Sequence, residues 1–459
     1  MTPTSSDRAR RPDAAFRRAF GAVVVVLLVL TAALLAAGAL RGPQLDDARF
    51  DRVAATERAG EQLRLFFDRA VGDVDGVTAS IEPEVPVTLG VQGDLVTLGF
   101  DAALAYGTPY TVRLDGVVGI GGGAPSSVEY SFTTATPTVA YLDRDPAGDA
   151  VVQAPVPGSG VEVLHRAERI QEFARLGDLL AVARIQTDDS SVLELVDPAT
   201  GGVQSVPLPP GAVVDRLHAA GDGQRLLFTL SVDAGRSPDR LMSLDPGSGV
   251  PQPVLGVAGS ELVVSGWDPL ADARVVALTI GGSLEVADVA TGEALPLGQY
   301  AEYESVSPDG ATVVVADALG PIAVPLGGGE EQRLLASPLE QGGVEPFLGD
   351  TLVLPQGAGR LQKVAVPAAD QASFDSYLVV DDGATSRPVL QTEGARGSIG
   401  AFSVSPNGRV AAVEVVPDVS AESSDGYPRE SRDVSVTTYF VELESGAVLR
   451  TVPGHDAEW

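Results

Sequence analysis

The chain of 459 residues contains no cysteine. That absence excludes disulfide staples, thiolate metal sites, cysteine nucleophiles and a lipid anchor attached to cysteine. Stability must therefore come from hydrophobic cores. Lysine is nearly missing too. Lys363 is the only one, while arginine is plentiful, the bias of a GC-rich coding sequence. Three histidines occur, His165, His218 and His455. No two stand at metal-ligand spacing, so the pattern gives them structural or solvent-exposed roles rather than a metal centre. No G-x-S-x-G nucleophile elbow is present. Aromatic residues make up only 5% of the chain, against 52 glycines and 33 prolines. With valine common, this composition implies many short strands joined by tight turns.

Positive charge is also scarce. The formal net charge is −31, and an acidic field of that size repels nucleic acid and anionic lipid headgroups. It excludes a nucleic-acid partner and leaves solubility, or attraction of a cation or basic partner, as its meaning. Acidic pairs are too numerous here to mark a catalytic site by themselves.

One long run has no charge at all. It extends from Ala19 to Leu40, between Arg17-Arg18 and Arg41. A helix of roughly 20 apolar residues spans a bilayer core of about 30 Å, so residues 19–40 are expected to be a transmembrane helix. Arg8, Arg10, Arg11, Arg17 and Arg18 precede it. Basic flanks stay inside, which makes 1–18 a cytoplasmic tail and puts the bulk outside, in a single-pass protein of the cell membrane. Two rival readings compete. Ala37-Gly38-Ala39 resembles a signal-peptide cleavage site, and Arg17-Arg18-Ala19-Phe20 resembles part of a twin-arginine export signal.

Residues 46–136 read as a small β-sandwich. Leu63-Arg64-Leu65-Phe66-Phe67, Val87–Val91, Leu95–Phe100 and Tyr110–Leu114 are short strands, with turns at intervals suited to that fold. The motifs Leu63-x-Leu65-x-Phe67-Asp68, Leu104-Ala105-Tyr106-Gly107-Thr108-Pro109-Tyr110, Gly116 and the closing Phe132-Thr133-Thr134 resemble the bacterial Ig-like domain of surface-layer type. That resemblance implies a spacer or adhesive module, and it covers only this segment. Gly119-Ile120-Gly121-Gly122-Gly123 replaces the Gly-Asn turn common in that family. This glycine run is not a phosphate loop, because Ala124-Pro125 and a strand follow where a helix is needed.

Residues 137–459 repeat. Asp197-Pro198-Ala199-Thr200-Gly201, Asp245-Pro246-Gly247-Ser248-Gly249, Asp288-Val289-Ala290-Thr291-Gly292 and Glu444-Ser445-Gly446 are one recurring turn. Gly221-Asp222-Gly223, Ser307-Pro308-Asp309-Gly310 and Ser405-Pro406-Asn407-Gly408 are a second. Apolar strands such as Leu226–Leu230, Val275–Ile280 and Val410–Val416 lie between them. Four strands per ~40–48 residues is the period of a propeller blade. The expected fold is all-β: a transmembrane helix, an Ig-like sandwich, then a propeller of about seven four-stranded blades. Blade cores are expected near 139–164, 170–208, 213–255, 262–297, 303–335, 344–390 and 399–452. The first lacks a leading strand, so the ring is expected to close by pairing the two ends of this domain. The Ser-Pro-Asp-Gly and Asp-x-x-Thr-Gly turns resemble the Tol-type branch of WD40-like propellers, a likeness that implies fold more than function.

Two segments remain. Asp143–Asp149 partly resembles a calcium loop, but Ala154 stands where the closing Glu belongs, so it reads as a turn. Residues 417–432 interrupt the last blade as a polar insertion. Tyr427 and Arg429, residue types favoured at binding hot spots, are its leading partner-binding candidates, ahead of Asp418, Glu422 and Asp425. No catalytic residue, metal or cofactor is assigned. The expected role is binding of another envelope protein or an extracellular ligand. The alternative is a hydrolase or lyase acting on cell-wall or extracellular carbohydrate. Clustered acids around a deep channel pocket favour the enzyme; a plugged mouth favours binding.

Overall fold

The computed structural model describes residues 14–72, 74–145, 148–233, 235–270, 272–339, 346–368, 373–392, 396–421, 423–429 and 431–459. The side chains of 14–15, 33–40, 74 and 356 lie outside that description. The chain divides into two compact units, 1–104 with 108–134, and 105–107 with 135–459.

Helix α1 (Ala14–Leu40) contains the long apolar run. Its described side chains, residues 16–32, are all exposed. The membrane crossing expected over 19–40 is not found: among the described residues, no helix is long and apolar enough to cross a membrane.

The rest of the first unit is a β-sandwich. One sheet orders strands Leu45–Arg49, Gln62–Phe67, Leu95–Phe100 and Val87–Gln92; the other orders Thr78–Glu82, Pro109–Val117 and Ser126–Thr133. Alternation puts Leu63, Leu65 and Phe67 on one face, and Tyr110, Val112 and Leu114 on another, all in one shared core. Phe50 packs edge-on against Phe132 at 4.6 Å. Gly116 is required where it stands. Its φ is +81°, and a Cβ there would collide with the carbonyl oxygen of Gly76. A two-sheet sandwich is established, but not membership of the Ig-like family.

Among the described residues, the second unit contains seven antiparallel four-stranded sheets, strung along the chain as blades 1 to 7. Blades 2 to 7 span 170–206, 213–253, 264–299, 302–333, 347–391 and 398–453. Blade 1 takes three strands from 138–167, and its fourth, His455–Glu458, from the far end of the chain. His455 pairs with Leu142 and Glu458 with Ala140. The missing leading strand is thus supplied by the C-terminus, as in a closed propeller.

The apolar cores support the same ring. Buried clusters join each blade to the next, from Ala140, Val151 and Val182 between blades 1 and 2 to Val139, Val152, Ala412 and Phe440 between blades 7 and 1. The cluster between blades 5 and 6 is the smallest, built on Val314, Ala323 and Leu334, with Val353 against it. The recurring turns act as local locks. Ser405 Oγ accepts from Val410 N at 3.0 Å and donates to Asn407 Oδ1 at 2.8 Å. Ser307 does the same with Thr312 N and Asp309. Asp143–Asp145 and Gly148–Asp149 pair as antiparallel strands, with Arg144 opposite Asp149.

Candidate functional site: a strap across the ring mouth

Residues 417–432 leave blade 7 after strand Val410–Val416, and the chain re-enters the sheet at Thr437–Glu442. The base of the insertion is a narrow hairpin. Ser424 bridges Asp433, and Val434 N donates to Ser423 O at 2.9 Å. Its tip carries Asp425, Tyr427 and Arg429 across three other blades.

On blade 1, Asp425 pairs with Arg144. The two side chains are 7% and 9% exposed, so this pair is largely out of water. The Arg144 guanidinium lies 3.7 Å from the centroid of the Tyr427 ring, a cation–π contact. Arg144 also donates to the carbonyls of Ile170 and Gln171 on blade 2, at 3.2 and 3.0 Å. The Tyr427 hydroxyl donates to Asp149. The same Asp149 oxygen accepts from Ile170 N at 2.7 Å. Burial, then the hydrogen bond to Asp149, raise the Tyr427 phenol well above its ordinary range. Gln171 Nε2 donates to the carbonyl of Arg429 at 3.0 Å. The Arg429 side chain reaches blade 3 and pairs with Asp215. It fills the space a Cβ would need at Gly235, whose φ is +77°.

The structure therefore brings together three of the five sequence candidates, Asp425, Tyr427 and Arg429, and engages their polar ends within the chain. Asp418 stands apart. It accepts from Ser420 N at 2.9 Å and lies 3.8 Å from Arg396. Glu422 lies outside the described residues.

Beneath the strap, the inner strands carry carboxylates. A cavity of about 230 Å³ is lined by Glu172, Arg216, His218, Asp456 and Glu458, among others. A second of about 340 Å³ is lined by Asp215, Arg216, Ser265, Trp267 and the strap's Arg429. Burial pushes Glu458 up to about 7, although Arg175 N donates to it at 2.8 Å. Glu172 accepts from Leu217 N at 2.9 Å. Further round the ring, the Tyr303 hydroxyl donates to Asp268 at 2.6 Å. Burial raises that carboxyl, and burial lowers His218 nearby.

Glu414, His455 and Asp456 form a group whose potential ligand atoms lie within 4.8 Å of one another. In donor type, this group fits a divalent metal. A cation is already present there, however. Arg432 donates to Asp456 at 2.9 Å and lies 3.9 Å from Glu414. Burial and the neighbouring Asp456 charge raise Glu414, against the pull of Arg432. Burial also pushes Asp456 up, but His455, Arg432 and Arg144 outweigh it and hold that carboxyl well below its usual range.

Sequence reasoning missed Arg144, Asp149, Asp215, Arg432 and Asp456. The only available signal was the run of charged residues at 143–149, which local pattern could read no further than a turn. Its partner, Tyr427, lies 278 positions from Asp149.

No family model matches the chain, and no curated protein matches it in sequence. Among solved structures, it is similar to TolB from Acinetobacter baumannii, at 12% identity over 75% of this chain and 76% of that one, with a TM-score of 0.35. It is similar to oligogalacturonate lyase from Vibrio parahaemolyticus, at 12% identity over 70% and 85%, TM-score 0.41. It is also similar to the β-propeller domain of Myceliophteria thermophila Cps50 (Swd1), at 12% identity over 62% and 85%, TM-score 0.37. Likenesses this remote carry no argument about ligand or reaction. The propeller assignment rests on sheet order and ring closure.

Proposed function

We propose that this chain is a membrane-anchored binding or scaffold protein of a bacterial envelope, with its ring held outside the cell. In this reading α1 is the anchor, and the sandwich is an Ig-like spacer. The ring offers its surface to another envelope protein or an extracellular ligand. The apolar helix with every described side chain exposed supports an anchor, since such a surface needs a cover. Arg17 and Arg18 before the apolar run support the inside position of the N-terminus. The net charge of −31 favours a basic partner.

The observation that carries binding over catalysis is the strap. It crosses the mouth on the side where the inner strands of blades 2 and 3 begin, and its arginines neutralise carboxylates beneath it. On that side the carboxylates of Asp215 and Asp456 are already occupied by Arg429 and Arg432 of the chain itself. One feature favours the enzyme instead: Glu458, raised to about 7 and lining a channel cavity with Glu172 and Asp456, is poised for acid–base work.

Protease shaving of intact cells, followed by cross-linking of the full chain and identification of what it captures, tests the proposal. The expected result is external cleavage of the ring and one recurrent partner. Protection of the ring from external protease, or polysaccharide turnover lost on Glu458→Gln, overturns it.

A further inference from the structure

The strap uses its side chains in a way that a solvated loop has no reason to adopt. From one hairpin tip, it places a carboxylate on blade 1, a phenol on blade 1 and a guanidinium on blade 3, while its backbone accepts from blade 2. Arg432, at its base, returns to Asp456 in the ring-closing strand. The pairs lie on successive blades and so cross the seam where the two ends of the chain meet. That seam has an apolar core, but its strand ladder is short. Only His455 and Glu458 are in register with the neighbouring strand, with a shift between them.

We propose that the strap, through Asp425, Tyr427, Arg429 and Arg432, is an ionic clasp. The clasp ties blade 7 to blades 1, 2 and 3 across the closing seam, and its Arg429 forms one wall of the cavity lined by Asp215, Ser265 and Trp267. Two further features fit this role. The Arg144–Asp425 pair is largely desolvated, and attraction between charges strengthens as water is excluded. Gly235 also leaves the space that Arg429 occupies, so blade 3 is shaped to receive the strap. The clasp is a property of the ring, independent of what the ring binds.

The test uses the full chain in three forms: residues 418–431 replaced by a short Gly-Ser turn, Arg144→Asp alone, and Arg144→Asp combined with Asp425→Arg. Hydrogen exchange is followed at strands Thr138–Asp145 and His455–Glu458, with strand Thr312–Asp317 of blade 5 as an internal control. In a Trp459→Phe background, Trp267 is the only tryptophan, and acrylamide quenching reports the opening of its cavity. The clasp requires at least a tenfold faster exchange at the seam, and stronger quenching of Trp267, in the turn replacement and the single reversal. Blade 5 stays unchanged, and the double reversal recovers the part of both readouts that the ion pair supplies, without the contacts of Arg144 to Ile170, Gln171 and Tyr427. Seam exchange and quenching that match the parent in the single reversal overturn the proposal. So does equal loss in single and double reversals. Because the reversals retain the whole insertion, they decide the matter even if the turn replacement fails to fold.

Discussion

Asp381 shows how the ring handles a buried charge. It is fully buried and accepts from Ser337 N at 3.0 Å, Ser337 Oγ at 2.8 Å, Gly383 N at 2.7 Å and Arg360 at 3.0 Å. Burial pushes its carboxyl up, but these donors together hold it below the usual range. Asp381→Ala strands Arg360, whose side chain is 10% exposed, so urea unfolding is expected to show a loss of about 3–5 kcal/mol. The pH behaviour follows from the sign of the shift. A lowered carboxyl adds stability above its unfolded value of 3.8, and loses it as pH falls through the folded value. Glu458 runs the other way. Its folded value is about 7 against 4.5 ordinarily, so its stabilising neutral form is complete below 4.5 and lost as pH rises towards 7. Glu458→Gln is expected to flatten the decline in melting temperature across that window. A decline unchanged from the parent contradicts the assignment.

At the scale of elements, the turns were legible in the sequence and the strap contacts were not. Ser405-Pro406-Asn407-Gly408 declares itself because its lock is local: a serine accepting from a nitrogen five positions on, and a glycine at φ +71°. The same lock recurs at Ser307 of blade 5, and the spacing of the recurring turns marks the blades along the sequence. Gly408→Ala is expected to cost roughly 1–3 kcal/mol, since the position is left-handed and a Cβ would sit 2.7 Å from Pro355. Ser405→Ala costs about 1 kcal/mol for the lost hydrogen bonds. Thermal melts of the two variants check both figures. The insertion was recognisable only as an interruption. Its partners, Arg144, Asp149 and Asp215, come from other blades, and no local periodicity encodes a contact across the ring. Tyr427 and Arg429 were singled out by residue type, and the structure finds both engaged within the chain. Of the first unit, alternation at Leu63-Leu65-Phe67 gave the sandwich strands, whereas the run at 19–40 showed a helix without showing what surrounds it.

For the whole molecule, junction strength around the ring is uneven. Blades 7 and 1 share a broad core with Tyr141, Val152, Phe440 and Val452, while among the described residues the apolar cluster between blades 5 and 6 is small, with Val314, Ala323 and Leu334 of blade 5 against Val353 of blade 6. Apolar burial is the main cohesive term between sheets. Hydrogen exchange is therefore expected to find its least protected blade junction between strands Gly320–Pro325 and Phe347–Val353, opposite the clasped side. Uniform protection at every junction contradicts that expectation.

The account depends most on the C-terminal strand completing blade 1. The absence of native cysteine allows a clean test with Ala140→Cys and Glu458→Cys, two positions directly opposed in the ladder. Facing residues in an antiparallel pair have Cα atoms about 4.5–5.5 Å apart, within disulfide reach. Mild oxidation is expected to give an intramolecular disulfide and a higher melting temperature. Two thiols that stay free and reactive in the folded monomer would contradict ring closure.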